Sequence, residues 1–342
     1  MEKGDILSLS LAELEEVLVE NGEQKFRAKQ IYEWLHLKKV ESFDEMTNIS
    51  STLRTKMSDE FYVNLLNISR KLESRVDNIV KYLYGLSDGN FIETVLMEYN
   101  HGMSLCISTQ VGCKMGCKFC ASTVGGFVRN LEPSEMLLQI YKTEKDSGKK
   151  VSSIVLMGIG EPLDNFDNVI KFLQILSSKE GVNMSLRHVT VSTCGIVPMI
   201  DKLAELRLGL TLSVSLHASH NHTRSEIMPV NVSYNIEKLI SACKRYVDKT
   251  GRRITFEYAV IDDVNSSTEE AYRLAELLRG MNCHVNLIPV NGIKERDYTS
   301  LMKTVQAFQN NLKSKGINVT IRRTLGSDIN AACGQLRRDE MK

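Results

Sequence analysis

The stretch at residues 104–120, SLCISTQVGCKMGCKFC, joins a short β-rich run to three closely spaced cysteines. Residues 104–108 have the composition of a strand, and Cys113, Cys117 and Cys120 follow in the loop beyond it with CxxxCxxC spacing. The chain has eight cysteines in 342 residues, so three within one loop are a marked concentration. In an intracellular chain such a group is more often a metal or redox site than a set of disulfides.

Three thiolates at this spacing can hold three irons of a cubane [4Fe-4S] cluster. The fourth iron then has no protein ligand and can take an exogenous one. A structural zinc site would instead need a fourth protein ligand nearby, for which Cys106 and His101 are candidates. The pattern favours the iron–sulfur cluster and leaves zinc as the alternative.

From residue 104 onward, short β-rich runs alternate with helical ones. The predicted strands are residues 104–108, 153–157, 188–192, 211–216, 254–260, 284–289 and 318–323. The predicted helices include residues 168–177, 198–206, 236–250, 268–279 and 304–315. This alternation predicts a parallel α/β sheet, and six or more units in series favour a barrel or partial barrel. Functional residues of such folds gather at the carboxyl ends of the strands, where the cysteine loop lies.

The first 100 residues have a different pattern. Up to about residue 75 they are predicted to be helical, and Ser10 with Glu13 forms a capping box ahead of the first helix. Residues 80–86 and 91–99 are strand-like and flank the turn sequence SDGN, which predicts a β-hairpin. We therefore predict a helical accessory domain at residues 1–75, a β-hairpin extension at 76–100 and a core with a C-terminal tail at 101–342.

Glu93 shares one face of the second hairpin strand with Phe91, Val95 and Met97. A carboxylate among three apolar side chains has two explanations. Either that face is exposed to solvent at a sheet edge, or Glu93 points into a functional site. The sequence leaves both open.

The composition is that of an ordinary globular protein, with 42% hydrophobic residues, 25% charged residues and a net charge of +1. No apolar run approaches the roughly 18–20 residues of a membrane helix, and the N-terminal residues lack the basic start of a signal peptide. We therefore expect a cytoplasmic protein with no membrane partner. The first 100 residues carry a net charge of −6 and the rest +7, which suits a polyanionic partner but also fits an ordinary solvated surface.

A series of further motifs completes the pattern. In order, the motifs are residues 113–131 (CKMGCKFCASTVGGFVRNL), 157–163 (MGIGEPL), 191–195 (VSTCG), 215–217 (SLH), 286–291 (NLIPVN) and 332–336 (ACGQL). The cysteine spacing, with an aromatic residue before the last cysteine, is typical of the radical S-adenosylmethionine (SAM) superfamily. The whole set resembles the RlmN/Cfr family of RNA methyltransferases over nearly the full chain. The resemblance implies a partial (β/α)6 TIM-like barrel, an N-terminal domain that binds RNA, a [4Fe-4S] cluster on the three cysteines, and SAM.

The resemblance also implies roles for individual residues. The positions implied to bind SAM are Gly160, Glu161, Ser192, Ser215, Leu216, His217 and Asn291. Cys333 is implied to carry the methyl group as S-methylcysteine, Glu93 to accept a proton, and Cys106 to form a transient disulfide with Cys333. Taken singly, each polar residue also fits an ordinary loop, and a lone cysteine such as Cys333 also fits a buried small side chain.

The implied substrates are RNA. They are an adenosine beside the peptidyl-transferase centre of 23S rRNA and the adenosine 3′ of the anticodon in tRNA, each methylated at C2 of the base. Candidate phosphate contacts are the basic residues within 114–129, Arg322-Arg323 and Arg337-Arg338. The resemblance further implies a reducing partner such as flavodoxin or ferredoxin, and we expect a monomer.

Three alternatives remain. A Cfr-type enzyme would methylate C8 of the rRNA adenine, although Pro162 and the sequence GFVR at residues 126–129 favour the RlmN branch. A zinc-stabilised RNA-binding protein would be colourless and would have no role for Cys333. A radical SAM enzyme with another substrate would not need the cysteine of ACGQL.

Overall fold

A computed structural model describes residues 3–290, 298–323 and 326–329 of the chain. Its strands are β1 (Gly4–Asp5), β2 (Phe61–Tyr62), β3 (Asn67–Glu73), β4 (Ile79–Gly85), β5 (Phe91–Tyr99), β6 (Gly102–Cys106), β7 (Gln110–Gly112), β8 (Phe127–Asn130), β9 (Val151–Leu156), β10 (Val189–Thr193), β11 (Thr211–Ser215), β12 (Ile254–Val260), β13 (Cys283–Pro289) and β14 (Val319–Ile321). Its helices are α1 (Leu11–Glu20), α2 (Phe26–Glu33), α3 (Ser51–Glu60), α4 (Pro133–Ser147), α5 (Phe166–Ser177), α6 (Val197–Glu205), α7 (Asn221–Ile227), α8 (Ile236–Thr250), α9 (Thr268–Leu278) and α10 (Met302–Ser314).

A ten-stranded sheet organises the fold in the order β14-β13-β12-β11-β10-β9-β6-β5-β4-β3. The seven strands from β6 to β14 in this sheet are parallel, and each of the six connections between them contains at least one helix. Strands β3, β4 and β5 extend the sheet in antiparallel pairing beyond β6. The prediction of an α/β fold with a β-hairpin extension is confirmed.

The helices cover the parallel strands with one apolar face each. In α8, Ile236, Leu239, Ile240 and Cys243 recur at helical spacing and are buried. The helix ends at Gly251, which has a left-handed φ of 65°. Glycine adopts this conformation with little strain because it has no side chain. Because these strands are parallel, their carboxyl ends lie together at one edge of the sheet.

The N-terminal segment forms helices α1 to α3. The predicted capping box is present, since Ser10 Oγ accepts from the Glu13 amide while Glu13 accepts from the Ser10 amide. Residues Trp34–Lys38 continue α2 as a π-helical turn. The helical prediction up to residue 75 is wrong for Asn67–Glu73, which forms the edge strand β3 paired with β4. One apolar core extends from these helices to the strands and helices of the large sheet.

Glu93 lies on β5, which is an interior strand between β4 and β6. Its side chain is buried. The explanation that places Glu93 at a solvent-exposed edge is therefore wrong. Within the described ranges, no helix is both long enough and apolar enough to span a membrane.

Candidate active site

A cavity of about 420 Å³ opens at the carboxyl ends of the parallel strands and reaches under the hairpin extension. It collects residues that are far apart in sequence. The predicted site residues that line it are Glu93, Cys106, Cys113, Cys117, Cys120, Gly160, Glu161, Ser192, Ser215 and His217. The buried side chain of Leu216 does not line it, and Asn291 and Cys333 lie outside the described residues.

The cysteine loop is closed at its base by the small sheet of β7 and β8. Gly112 at the end of β7 pairs with Phe127 of β8 and has a φ of 78°. A Cβ at this position would lie 1.8 Å from the carbonyl oxygen of Gly126, so glycine is required. The Cys113 amide donates to the same Gly126 oxygen at 3.0 Å. Thr123 Oγ1 donates to the carbonyls of Cys117 and Cys120 and ties the two later cysteines together.

The donor chemistry of this loop suits a cluster. Burial raises the pKa of the Cys113 thiol to about 12, and it raises the pKa of Cys117 further, with added repulsion from the neighbouring cysteines. Thiols in such surroundings become thiolates when a metal centre compensates their charge. Within the part of the chain that the structure describes, no three His, Cys, Asp or Glu side chains form a compact group around a single ion.

The proposed fourth zinc ligands do not join the loop. His101 precedes β6 and stacks on Tyr99, at the end of that strand opposite to the cysteine loop. Cys106 packs with Ile79 and Met97 in a separate apolar cluster. The arrangement therefore favours three cysteine ligands with an open fourth position over a closed zinc site.

The loop after β9 places a buried carboxylate in the cavity. Gly160 adopts a φ of +111°, and a Cβ there would lie 2.6 Å from Cβ of Gln110. This close approach directs Glu161 inward, where it accepts from the amides of Leu163 at 3.1 Å and Cys194 at 2.7 Å. Burial raises the pKa of Glu161 against these hydrogen bonds. A carboxylate so placed can bind an ammonium group of a ligand.

The ends of β10 and β11 add polar groups to the same wall. Ser192 and Ser215 line the cavity, and His217 follows with a left-handed φ of 54°. His217 Nδ1 accepts from the amide of Ala259 at 2.8 Å, and its ring meets Phe119 edge to face with centroids 4.7 Å apart. Burial lowers the pKa of His217 to about 3, so the imidazole is neutral at pH 7.

The hairpin extension supplies the opposite wall. Lys81 Nζ lies 2.9 Å from Glu93 Oε2, and both side chains are at most 1% exposed. Cys106 pairs with Val95 across β5 and β6 and faces the same cavity. Burial raises the pKa of the Cys106 thiol to about 11, while the Arg322 charge opposes that rise. The cavity therefore has a thiol and a carboxylate on the wall that the hairpin extension and β6 form.

Several residues of the site were missed by sequence reasoning. Glu257 lines the cavity and accepts from Ser213 Oγ and Asn286 Nδ2, each at 2.9 Å. Lys81 and Arg224 support the site from inside the protein. Arg322 and Arg323, predicted as phosphate contacts, also line the cavity. In the sequence, Lys81 could have been recognised as inward-facing because it is two residues from the apolar Ile79 on the same strand. For Arg224 the only sequence signal was its position shortly after the SLH motif.

The comparisons with known proteins agree with this geometry. The family model for the "Ribosomal RNA large subunit methyltransferase N-terminal domain" matches residues 4–63, and the model for the "Radical SAM superfamily" matches residues 107–275. A probable dual-specificity RNA methyltransferase RlmN of Lachnoclostridium phytofermentans is 55% identical over 98% of this chain and 95% of the relative. A protein of the same name from Alkaliphilus oremlandii is 52% identical over the full length of both chains.

A solved structure extends the agreement to three dimensions. The crystal structure of a radical SAM methyltransferase from Sphaerobacter thermophilus has a TM-score of 0.92 and 41% identity, and the match covers 97% of this chain and 98% of that one. The predicted superfamily, fold and enzyme class are confirmed by these matches. The chain therefore belongs to the RlmN family of radical SAM methyltransferases.

Proposed function

We propose that this protein methylates C2 of adenine in 23S rRNA and in tRNA, with Cys333 as the methyl carrier. The observation that carries the proposal is the single cavity that unites the cysteine loop, Glu161, Glu93 and Cys106. The names of the relatives support RNA as the substrate class. Support for C2 rather than C8 comes from their RlmN names, together with Pro162 and the sequence GFVR at residues 126–129.

The cofactors of the proposal are a [4Fe-4S] cluster on Cys113, Cys117 and Cys120, and SAM. A cluster held by these three cysteines would supply the electron for reductive cleavage of SAM, which is the source of the radical chemistry. Glu161 holds the ammonium group of SAM, with Gly160, Ser192, Ser215, Leu216, His217 and Asn291 completing its site. The neutral imidazole of His217 adds no positive charge beside the sulfonium of SAM.

Adenine C2 is an unreactive ring carbon, so the methyl group has to be delivered as a bound radical rather than as an electrophile. The sulfur of Cys333 carries the carbon that bonds to C2, and Glu93 removes the C2 proton as a general base. The unpaired electron that the radical addition leaves on the ring would return to the oxidised cluster, so that the ring regains its aromaticity before the sulfur–carbon bond is cleaved. The Cys106 thiolate then attacks the Cys333 sulfur, so that a disulfide forms, the sulfur–carbon bond breaks and the methylene carbon takes a proton. The base has to leave its stack to enter the cavity, which favours adenosines in loops.

The test is an anaerobic reaction of cluster-reconstituted protein with a low-potential reductant, methyl-labelled SAM and unmodified tRNA or an rRNA fragment. Mass spectrometry resolves the nucleosides against 2-methyladenosine and 8-methyladenosine standards. We expect labelled 2-methyladenosine, its loss in Cys333→Ala, and its retention in Cys283→Ala, because Cys283 lies on β13 and does not line the cavity. The 8-methyl isomer would assign the Cfr reaction, and a SAM-cleaving protein without either product would contradict the substrate.

The same assay tests the electron donor. Flavodoxin or ferredoxin with its reductase is expected to replace the chemical reductant. Size-exclusion chromatography with light scattering is expected to show a monomer.

A further inference from the structure

Among the residues that the structure describes, Arg224 on α7 is the largest fully buried side chain. Its guanidinium donates to five oxygens, all of them carbonyl or amide oxygens. They are the backbone oxygens of Leu216 (3.1 Å), Tyr234 (3.4 Å), Cys194 (2.7 Å) and Ser215 (3.2 Å), and Oδ1 of Asn231 (3.0 Å). Within the described ranges no carboxylate lies within 4.0 Å of it. A buried cation without an anion is costly, so this arrangement calls for a compensating negative charge.

The cysteine loop lies beside this charge. The amide of Lys118, inside the CxxxCxxC sequence, donates to the carbonyl of Ile227 at the end of α7 at 2.9 Å. Ile227 and Met228 pack in one buried cluster with Cys117 and Cys194. Arg224 lies one helical turn before Ile227 on α7, and its guanidinium donates to the carbonyl of Cys194 in this cluster at 2.7 Å. The guanidinium is thus close enough to favour negative charge at the cysteine loop.

We propose that Arg224 is a positioning residue that serves as the buried counter-charge of the iron–sulfur cluster and raises its reduction potential. This inference rests on the proposed function, because it requires the cluster at Cys113, Cys117 and Cys120. A [4Fe-4S] core in its 2+ state with three thiolates carries net negative charge, and reduction adds one electron to it. A nearby cation stabilises the reduced state more than the oxidised state, and the low dielectric of the interior strengthens the effect.

The five hydrogen bonds also hold the ends of β10 and β11 together, which is a purely structural role. Charge and structure can be separated by two substitutions. Arg224→Lys keeps the positive charge and loses most of the hydrogen bonds, whereas Arg224→Gln keeps some donors and loses the charge. Arg245→Gln is the matched control, because Arg245 is an exposed arginine on α8 that pairs with Asp201 at 2.8 Å.

The experiment is a potentiometric titration of each anaerobically reconstituted protein, with the reduced cluster followed by electron paramagnetic resonance and without SAM or RNA. We expect Arg224→Gln to have a more negative potential than the wild type, and Arg224→Lys and Arg245→Gln to remain near it. An unchanged potential in Arg224→Gln, or equal shifts in the Lys and Gln variants, would overturn the inference. Loss of the cluster from both variants would assign Arg224 to the folding of the loop and would overturn it as well.

Asn231→Asp provides a second test for the case in which Arg224→Gln takes up no cluster but Arg224→Lys does. The new carboxylate would lie against Arg224 Nη1, where Asn231 Oδ1 now accepts at 3.0 Å, and would neutralise the guanidinium without removing it. A more negative potential supports the inference, and an unchanged potential overturns it. If wild-type protein shows no iron–sulfur signal after anaerobic reconstitution, the proposed function fails first, so the two failures are distinguishable.

Discussion

Lys81 and Glu93 form an ion pair inside the hairpin extension, with Nζ 2.9 Å from Oε2. Across the strands Lys81 lies opposite Val95, and Glu93 lies opposite Leu83, so the two charges are diagonal neighbours on one face of β4 and β5. Glu93 lines the cavity, whereas Lys81 is fully buried behind it. The pairing gives the protein a carboxylate that is oriented toward the site before any substrate enters.

Substitution of Lys81 by Met is expected to lower the free energy of unfolding by about 3–5 kcal/mol, because it leaves a buried carboxylate without its cation. Urea unfolding followed by circular dichroism measures this loss. Lys149→Met is the matched control. Lys149 pairs at 2.9 Å with Glu98, which lies on β5 like Glu93, but this pair is exposed. A change in the free energy of unfolding of at most about 1 kcal/mol is therefore expected. Equal losses in the two variants would contradict a stabilising role of the buried pair.

Gly160→Ala is expected to weaken SAM binding by about tenfold or more, since the new Cβ would meet Gln110 and shift the Glu161 loop. Isothermal titration of the reconstituted protein with SAM measures the affinity. Gly251→Ala is the control, because Gly251 also has a positive φ but a Cβ there meets nothing within 4 Å. It should lose about 1 kcal/mol of stability with unchanged SAM affinity. Full SAM affinity in Gly160→Ala would show that the loop tolerates a side chain.

His36 makes the stability of the protein depend on pH. It is fully buried, its Nδ1 lies 2.9 Å from the hydroxyl of Tyr141, and burial lowers its pKa from 6.5 to about 3. Between pH 6.5 and about 3, His36 therefore binds a proton in the unfolded chain but not in the folded protein. Stability is fully present above pH 6.5 and falls as the pH drops toward 3, by up to about 1.4 kcal/mol per pH unit for this residue.

Urea unfolding at a series of pH values tests this dependence. In His36→Gln the unfolding free energy should fall less steeply between pH 6.5 and 4 than in the wild type. The difference in slope should correspond to nearly one bound proton, even though the variant is less stable at pH 7. His188→Gln is the matched control, because it removes a histidine that is exposed rather than buried. A wild-type slope in His36→Gln would place the acid sensitivity elsewhere, for example at His217, whose pKa burial also lowers to about 3.

Cys106→Ala is expected to trap the RNA on the protein, because no thiolate remains to release it from Cys333 under the proposed mechanism. A covalent protein–RNA species that survives denaturation and reduction should appear on a gel after reaction with SAM and RNA. The species should be missing in Cys333→Ala and in the double variant. Cys243→Ala, at a buried cysteine of α8 outside the cavity, should release RNA normally. Free methylated RNA as the main product of Cys106→Ala would remove this cysteine from the mechanism.

The sequence by itself determined the parts of this protein that depend on local order. The β/α alternation after residue 104 is visible because strand and helix periods differ, and predicted strand 254–260 agrees with β12 (Ile254–Val260) residue for residue. The cysteine spacing and the capping box of Ser10 and Glu13 are likewise local, since each acts within one or two turns of chain. The motif set was also sufficient to indicate the family.

Only the tertiary structure decided the features that depend on partners distant in sequence. Asn67–Glu73 has no buried apolar face and becomes a strand because the backbone of β4 supplies its hydrogen bonds. The position of Glu93 in the alternating pattern of β5 is the same whether its side chain faces water or a cavity. Pairing of β5 with β6 makes β5 an interior strand and places Glu93 at the cavity. Arg224 is buried because carbonyl groups from the ends of two strands and a later loop converge on it. Such environments arise from the crossing of separate chain segments, and no local pattern of residues specifies them.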